Sequence, residues 1–141
     1  ELDPTARRYE DWEFPYALVL GQAAAAAYAI DVGIAEASSR AWMLAARLRS
    51  GLEAIPRVRV LDRGAVRSAI VTAAVDGMDA RLLVRHLAGQ HINTVSSLRE
   101  FGHFDFADKR VDTAIRFSPH YYNTEAEIDA AIDATSYFVS R

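Results

Sequence analysis

The 141 residues carry 16 basic and 19 acidic side chains, a net charge of −3, with 51% hydrophobic residues and no cysteine. That length and composition suit one domain with a sizeable core. The near balance of charge, without a basic stripe, argues against a nucleic-acid partner, and the lack of cysteine excludes disulfides, thiolate metal sites and a cysteine nucleophile within the chain.

The chain opens at Glu1-Leu2-Asp3, with no initiator methionine and no signal-peptide pattern, as expected of a domain excised from a longer protein. Residues 1–16 are charged and aromatic, punctuated by Pro4 and Pro15. They read as a connector ending in an ordered, partly buried segment, because Tyr9, Trp12, Phe14 and Tyr16 need a surface to pack on. From Ala17 to Val32 the chain is alanine-rich and apolar. Gly21, Gln22, Asp31 and Gly33 interrupt it short of the roughly 20 strongly apolar residues a membrane span needs. A closely packed helix is expected there, with Gly33 as a left-handed cap, and no membrane association.

A second helix is expected over residues 34–54, with Trp42, Leu44, Ala45, Leu48, Leu52 and Ile55 on its apolar face and Pro56 closing it. Val58 to Leu61 and Ser68 to Val75 read as strands around a polar loop, and Asp76-Gly77 as a turn. Met78 to Ala88 is a helix with a solvent-facing His86, and Ile92 to Val95 a short strand. Ser96 to Arg110 shows no period and reads as an ordered loop, and Thr113 to Phe117 is the last strand. Thr124-Glu125-Ala126-Glu127 is a capping box, opening a helix that puts Ile128, Ala131, Ile132, Thr135 and Val139 on one face. The order α-α-β-β-α-β-β-α predicts an α/β (α+β) sandwich, a small mixed or antiparallel sheet covered by helices, with crossover connections after Gly77 and His91.

Arg116 ends a strand just before Ser118-Pro119, and Asn123-Thr124 opens a helix soon after. An arginine fork placed there can take a carboxylate bidentately; it can equally pair with a neighbouring acid on the surface. His120, Tyr121 and Tyr122 offer a titratable imidazole and hydrogen-bonding rings, or simply aromatics packed under the last helix. His103, Asp105, Asp108 and Asp112 match no metal-ligand spacing, so no metal site is expected. Lys109 is the only lysine, and it stands in a charged Asp108-Lys109-Arg110 run, as a solvated surface residue would.

Arg116-x-Ser118-x-x-x-Tyr122-Asn123-Thr124, followed by Glu125, Glu127, Ile128 and Asp129, resembles the C-terminal signature of class V aminotransferases. That group includes cysteine desulfurases, selenocysteine lyases and isopenicillin N epimerase-like proteins, and Ser118-Pro119-His120-Tyr121-Tyr122-Asn123-Thr124-Glu125 looks nearest to the epimerase-like branch. Arg8-Tyr9-Glu10, the alanine-rich helix after Leu20-Gly21, Ile55-Pro56-x-Val58 and Ile92-Asn93 follow in the same order, so the likeness spans the chain.

The resemblance implies the small domain of a fold-type I pyridoxal-phosphate enzyme, over residues 17–141, attached through 1–16 to a missing large domain. The cofactor, its lysine and most of its ligands would belong to that large domain, so neither a catalytic nor a cofactor-binding residue is expected in this chain. Arg116 would grip the carboxylate of an amino-acid substrate, with His120 as a second substrate-binding candidate. The parent would be an epimerase, lyase or transaminase, a homodimer and cytoplasmic, and the isolated fragment inactive. The alternative is a stand-alone α/β ligand-binding or protein-interaction module without catalysis.

Three positions depart from the family pattern. Desulfurases carry a cysteine in the loop matching Ser96 to Arg110, and none is present here, so the likeness does not extend to a persulfide mechanism. Trp12-Glu13-Phe14 replaces a Gly-Thr-Pro whose threonine would reach a partner subunit's cofactor phosphate. His91 stands where glycine is usual, and histidine enters the left-handed conformation less easily.

Overall fold

Two short strands, each alternating between a packed face and a second face, set the architecture of the larger part of the chain. The computed structural model describes residues 3–10 and 13–141. It divides the chain into two units, Glu1–Ile34 and Ala35–Arg141.

In the first unit a 3-10 helix, Ala6–Tyr9, is capped by Thr5, whose hydroxyl accepts from the Arg7 amide. Helix α1, Tyr16–Val32, ends at Gly33, which takes the expected left-handed conformation with φ 92°. No residue of α1 is buried, and Leu20 and Ile30 are 70% and 68% exposed. Tyr9, Phe14 and Tyr16 are exposed too, with the Phe14 and Tyr16 rings 4.4 Å apart. The close packing expected of this segment is therefore not found among the described residues of its own unit. Trp12 lies outside the described residues. No single helix is long and apolar enough to cross a membrane.

The second unit holds α2 (Ile34–Glu53, its first residue in the first unit), β1 (Val58–Val60), β2 (Val71–Val75) and α3 (Ala80–Ala88). It continues with β3 (Val95–Leu98), α4 (His103–Lys109), β4 (Thr113–Phe117) and α5 (Glu125–Val139). The strands form one sheet in the order β1-β2-β4-β3, every neighbouring pair antiparallel. β2 and β3 thus run parallel with β4 between them, and α3 makes the crossover expected after Gly77. The connection expected to cross over after His91 does not: β3 and β4 are antiparallel neighbours.

On one sheet face Val71, Ala73, Val75, Ile115 and Phe117 meet Leu44, Leu48 and Leu52 of α2, Leu83 and Leu87 of α3, and Ile128, Ala131 and Val139 of α5. The other face is thinner. There Ala74 and Ala114 pack with Leu61 and with Phe106 of α4.

Trp42, expected on the apolar face of α2, is 54% exposed. The buried stripe is Ala41, Leu44, Ala45, Leu48 and Leu52, spaced by three and four, and Trp42 falls outside it. His86, expected in solvent, is half-buried and stacked on Phe138 of α5 with ring centroids 4.5 Å apart. The third strand begins at Val95 rather than Ile92, because Ile92 serves the exit of α3: its amide donates to the Leu87 carbonyl at 3.0 Å. Ser96 to Arg110 is not a loop. It contains the rest of β3, a 3-10 turn over Arg99–Phe101, and α4. Phe106 is the only buried residue of α4, too few for a sequence period to register.

Candidate functional site

β4 carries Arg116 between Ile115 and Phe117, both buried, so strand alternation turns its side chain to the opposite face, the one that holds Ala114. Its cross-strand neighbours are Thr72 on β2 and Val95 on β3. Val95 is 51% exposed, and the Thr72 hydroxyl is committed to Asp62 Oδ1 at 2.6 Å. Asp62 in turn receives Arg49 at 2.8 Å. Arg116 itself stands exposed, with no hydrogen bond or ion pair among the described residues. The fork is free to meet an external carboxylate.

His120 sits beyond β4 in a tight turn. Its amide donates to Asn123 Oδ1, and its carbonyl accepts from the Asn123 amide, both at 2.9 Å. The imidazole is exposed and lies 4.6 Å from the Tyr121 ring and 4.8 Å from that of Tyr122, centroid to centroid. The turn positions an aromatic cluster, but no bond links His120 to Arg116.

The turn delivers the chain to α5 through the expected capping box. Glu127 donates its amide to the Thr124 hydroxyl at 3.2 Å, and its carboxylate accepts from the Thr124 amide at 2.8 Å. These backbone bonds hold the Glu127 carboxyl below the usual range. Two forked arginines of α2, Arg40 and Arg47, grip the first turns of α5. Arg47 reaches both oxygens of Asp129 at 2.6 and 2.7 Å. Arg40 binds Glu125, with Nη2 2.8 Å from Oε2, and donates to the Asn123 carbonyl at 3.2 Å. Hydrogen bonding to Arg40 brings the Glu125 carboxyl down to about 2.

Behind the turn, on the Phe117 side of the sheet, lies a cavity of about 520 Å³. Gln90 to Thr94, Phe117 to Pro119, Tyr122 and Asn123 line it together with Leu48 and with Glu127, Ile128, Ala130 and Ala131 of α5. Neither Arg116 nor His120 lines it, although Ser118, Pro119, Tyr122 and Asn123 around His120 do. Sequence reasoning missed this cavity. Its one visible trace was the Ile92-Asn93 step after a glycine-like position at His91, which indeed has φ 61°.

Lys109 donates to Asp105 at 2.8 Å within α4, and its side chain is only 15% exposed, more sheltered than its charged run suggests. An ammonium held by a carboxylate has no lone pair free to form a Schiff base. Asp108 is engaged by Arg63 and Asp112 by Arg99. No cluster of three metal-binding side chains occurs among the described residues.

Residues 3–131 match the family model described as aminotransferase class-V. No curated protein matches the sequence. Among solved structures, the cysteine desulfurase CsdA from Escherichia coli superposes with a TM-score of 0.82 at 23% identity, over 96% of this chain and 34% of its own. A cysteine desulfurase from Thermococcus onnurineus NA1 gives 0.83 at 18% identity, over 99% and 35%. A NifS-like protein from Rickettsia africae ESF-5 gives 0.65 at 19% identity, over 77% and 30%. The chain thus spans about a third of the length of these proteins, and they share its fold.

Proposed function

Since this chain belongs to the aminotransferase class-V family, whose members use pyridoxal phosphate, we propose that it is the substrate-gripping part of such an enzyme and acts on an amino-acid substrate. The carrying observation is Arg116: exposed, unpartnered among the described residues, and within the Arg116 to Thr124 signature. A guanidinium fork binds a carboxylate through two parallel N–H donors, which fixes orientation as well as affinity. Fixing the carboxylate orients the bonds around the adjacent carbon, where the reaction of an epimerase, lyase or transaminase would occur.

The sole lysine is tied to Asp105, and the α5 N-terminus is closed by its own capping box. Cofactor binding is accordingly assigned to residues outside the 141, with a cytoplasmic homodimer as the working assembly. His120 is assigned an accessory place, its ring held by the turn near the end of β4.

The test is titration of the intact enzyme with amino acids, followed by the cofactor absorbance. Arg116→Ala is expected to weaken binding by about 1.5–3 kcal/mol, roughly 10- to 150-fold in Kd. Arg116→Lys, which keeps the charge but loses the fork, should recover only part of that affinity. Equal affinities for all three proteins would remove Arg116 from the site.

A further inference from the structure

In the β3–β4 ladder Val95 stands directly opposite Arg116. Directly opposed residues of an antiparallel pair project to the same face, with β-carbons about 4.5–5.5 Å apart. Val95 is 51% exposed, and β3 is an edge strand, with no further strand beyond it among the described residues. Exposed sheet edges are commonly guarded by a charged side chain. Here the edge position beside an exposed arginine carries a branched hydrocarbon instead.

The neighbouring positions on that face narrow the chemistry. Thr72, opposite Arg116 on β2, is half-buried and its hydroxyl donates to Asp62. Two residues along, Ala74 and Ala114 are covered by Leu61 and Phe106, and Ser97, opposite Ala114, is half-buried. None of these side chains carries a charge, so the sheet gives the fork no acid of its own. Arg116 and Val95 together therefore present a cation beside open hydrocarbon. An α-amino acid with its carboxylate on the fork and an aliphatic side chain lying toward the edge matches both surfaces. A charged side chain laid over Val95 would lose hydration and find no partner in the sheet.

We propose that Val95 is a specificity-determining residue, the apolar wall over which the side chain of an aliphatic amino-acid substrate lies while Arg116 holds its carboxylate. The assignment rests on the reading of Arg116 as the carboxylate clamp. Each methylene taken out of water against such a wall changes Kd by roughly fourfold, enough to separate substrates that the clamp alone treats alike.

The test titrates the full-length enzyme with norvaline and with homoserine, followed by the cofactor absorbance. These amino acids differ only by a methyl against a hydroxyl at the end of the side chain. The enzyme is expected to bind norvaline more tightly. Val95→Thr keeps the shape and the strand propensity but exchanges a methyl for a hydroxyl, and it should shrink the norvaline preference by roughly 3- to 5-fold. Val95→Ile, which keeps the hydrocarbon, should retain the preference. Because each ratio is taken within one protein, a general loss of folded enzyme does not enter it. Tighter binding of homoserine by the unaltered enzyme, or a ratio that Val95→Thr leaves unchanged, overturns the proposal. If Arg116→Ala weakens both ligands while Val95→Thr leaves the ratio unmoved, the wall alone is rejected. If Val95→Thr moves the ratio in an enzyme indifferent to Arg116→Ala, the clamp alone is rejected.

Discussion

Arg49 and Asp62 join the middle of α2 to the loop between β1 and β2, with Nε 2.8 Å from Oδ2 and side chains only 8% and 12% exposed. The same guanidinium donates to the carbonyls of Ser68 and Ile70 at 2.7 and 2.8 Å, while Asp62 accepts from the amide and hydroxyl of Thr72. Both oxygens of Asp62 are used, as are Nε and Nη2 of Arg49. Removing one partner strands the other in a dry site, so Asp62→Ala is expected to cost about 3–5 kcal/mol. Urea unfolding should show this as a lower midpoint with an unchanged slope. A loss below about 1 kcal/mol would mean the loop relaxes and lets water reach Arg49.

The clamp between α2 and α5 has a different pH signature. Glu125 titrates at about 2 in the folded chain instead of 4.5, first through its hydrogen bond to Arg40, and Asp129 is lowered by Arg47. Because the folded values are depressed, this stabilisation is complete above the unfolded pKa. Below it the unfolded chain takes up protons first, and the contribution is lost as pH falls toward about 2. Arg40→Ala should therefore lower the urea midpoint more at pH 6 than at pH 2, where the bond to the Asn123 carbonyl remains. An equal shift at both pH values would assign the effect to the Asn123 carbonyl bond and to packing of the arginine stem instead of the ion pair.

His91 offers the reverse case, a stabilising change. Its φ of 61° places a β-carbon where glycine would sit without strain. The side chain is exposed and makes no hydrogen bond among the described residues. His91→Gly is expected to raise stability by about 0.5–1 kcal/mol, the relieved strain exceeding the entropy added to the unfolded chain. Thermal unfolding would read this as a rise of a few degrees, whereas a fall would show that the imidazole contributes more than the backbone suffers.

At Gly51, α2 packs directly against Ile132 of α5. A β-carbon there would run into Ile132, with its Cγ2 at 3.1 Å and its Cγ1 and Cδ1 nearer still. Gly51→Ala should destabilise by about 1–3 kcal/mol despite alanine's better helix propensity. Adding Ile132→Val should recover part of the loss. Stability gained by Gly51→Ala alone would show that Ile132 can simply rotate away.

What could be read from the amino acids was what is decided locally. Gly33 and the Thr124–Glu127 box depend on residues a few positions apart and the structure has them as expected, while the buried stripe of α5 takes in Ala134 and leaves Ile132 only partly buried. The misplacements share a non-local cause. Trp42 looks like core until the stripe on α2 is fixed by what it packs against, and Ser96-Ser97 looks like loop until β4 supplies their ladder. Arg49 is the plainest example, because no pattern around it announces Asp62 thirteen residues on.

The strand order also fixes a timetable. β4 comes last in sequence among the strands yet lies between β2 and β3, so β3 has no ladder until residues 113–117 exist. On a ribosome, everything before that point emerges with half its sheet unclosed and the apolar side of β2 uncovered by α5. The segment bearing the signature arginine is thus also the keystone of the fold, and a truncation that spared every residue up to Asp112 would release a chain unable to close.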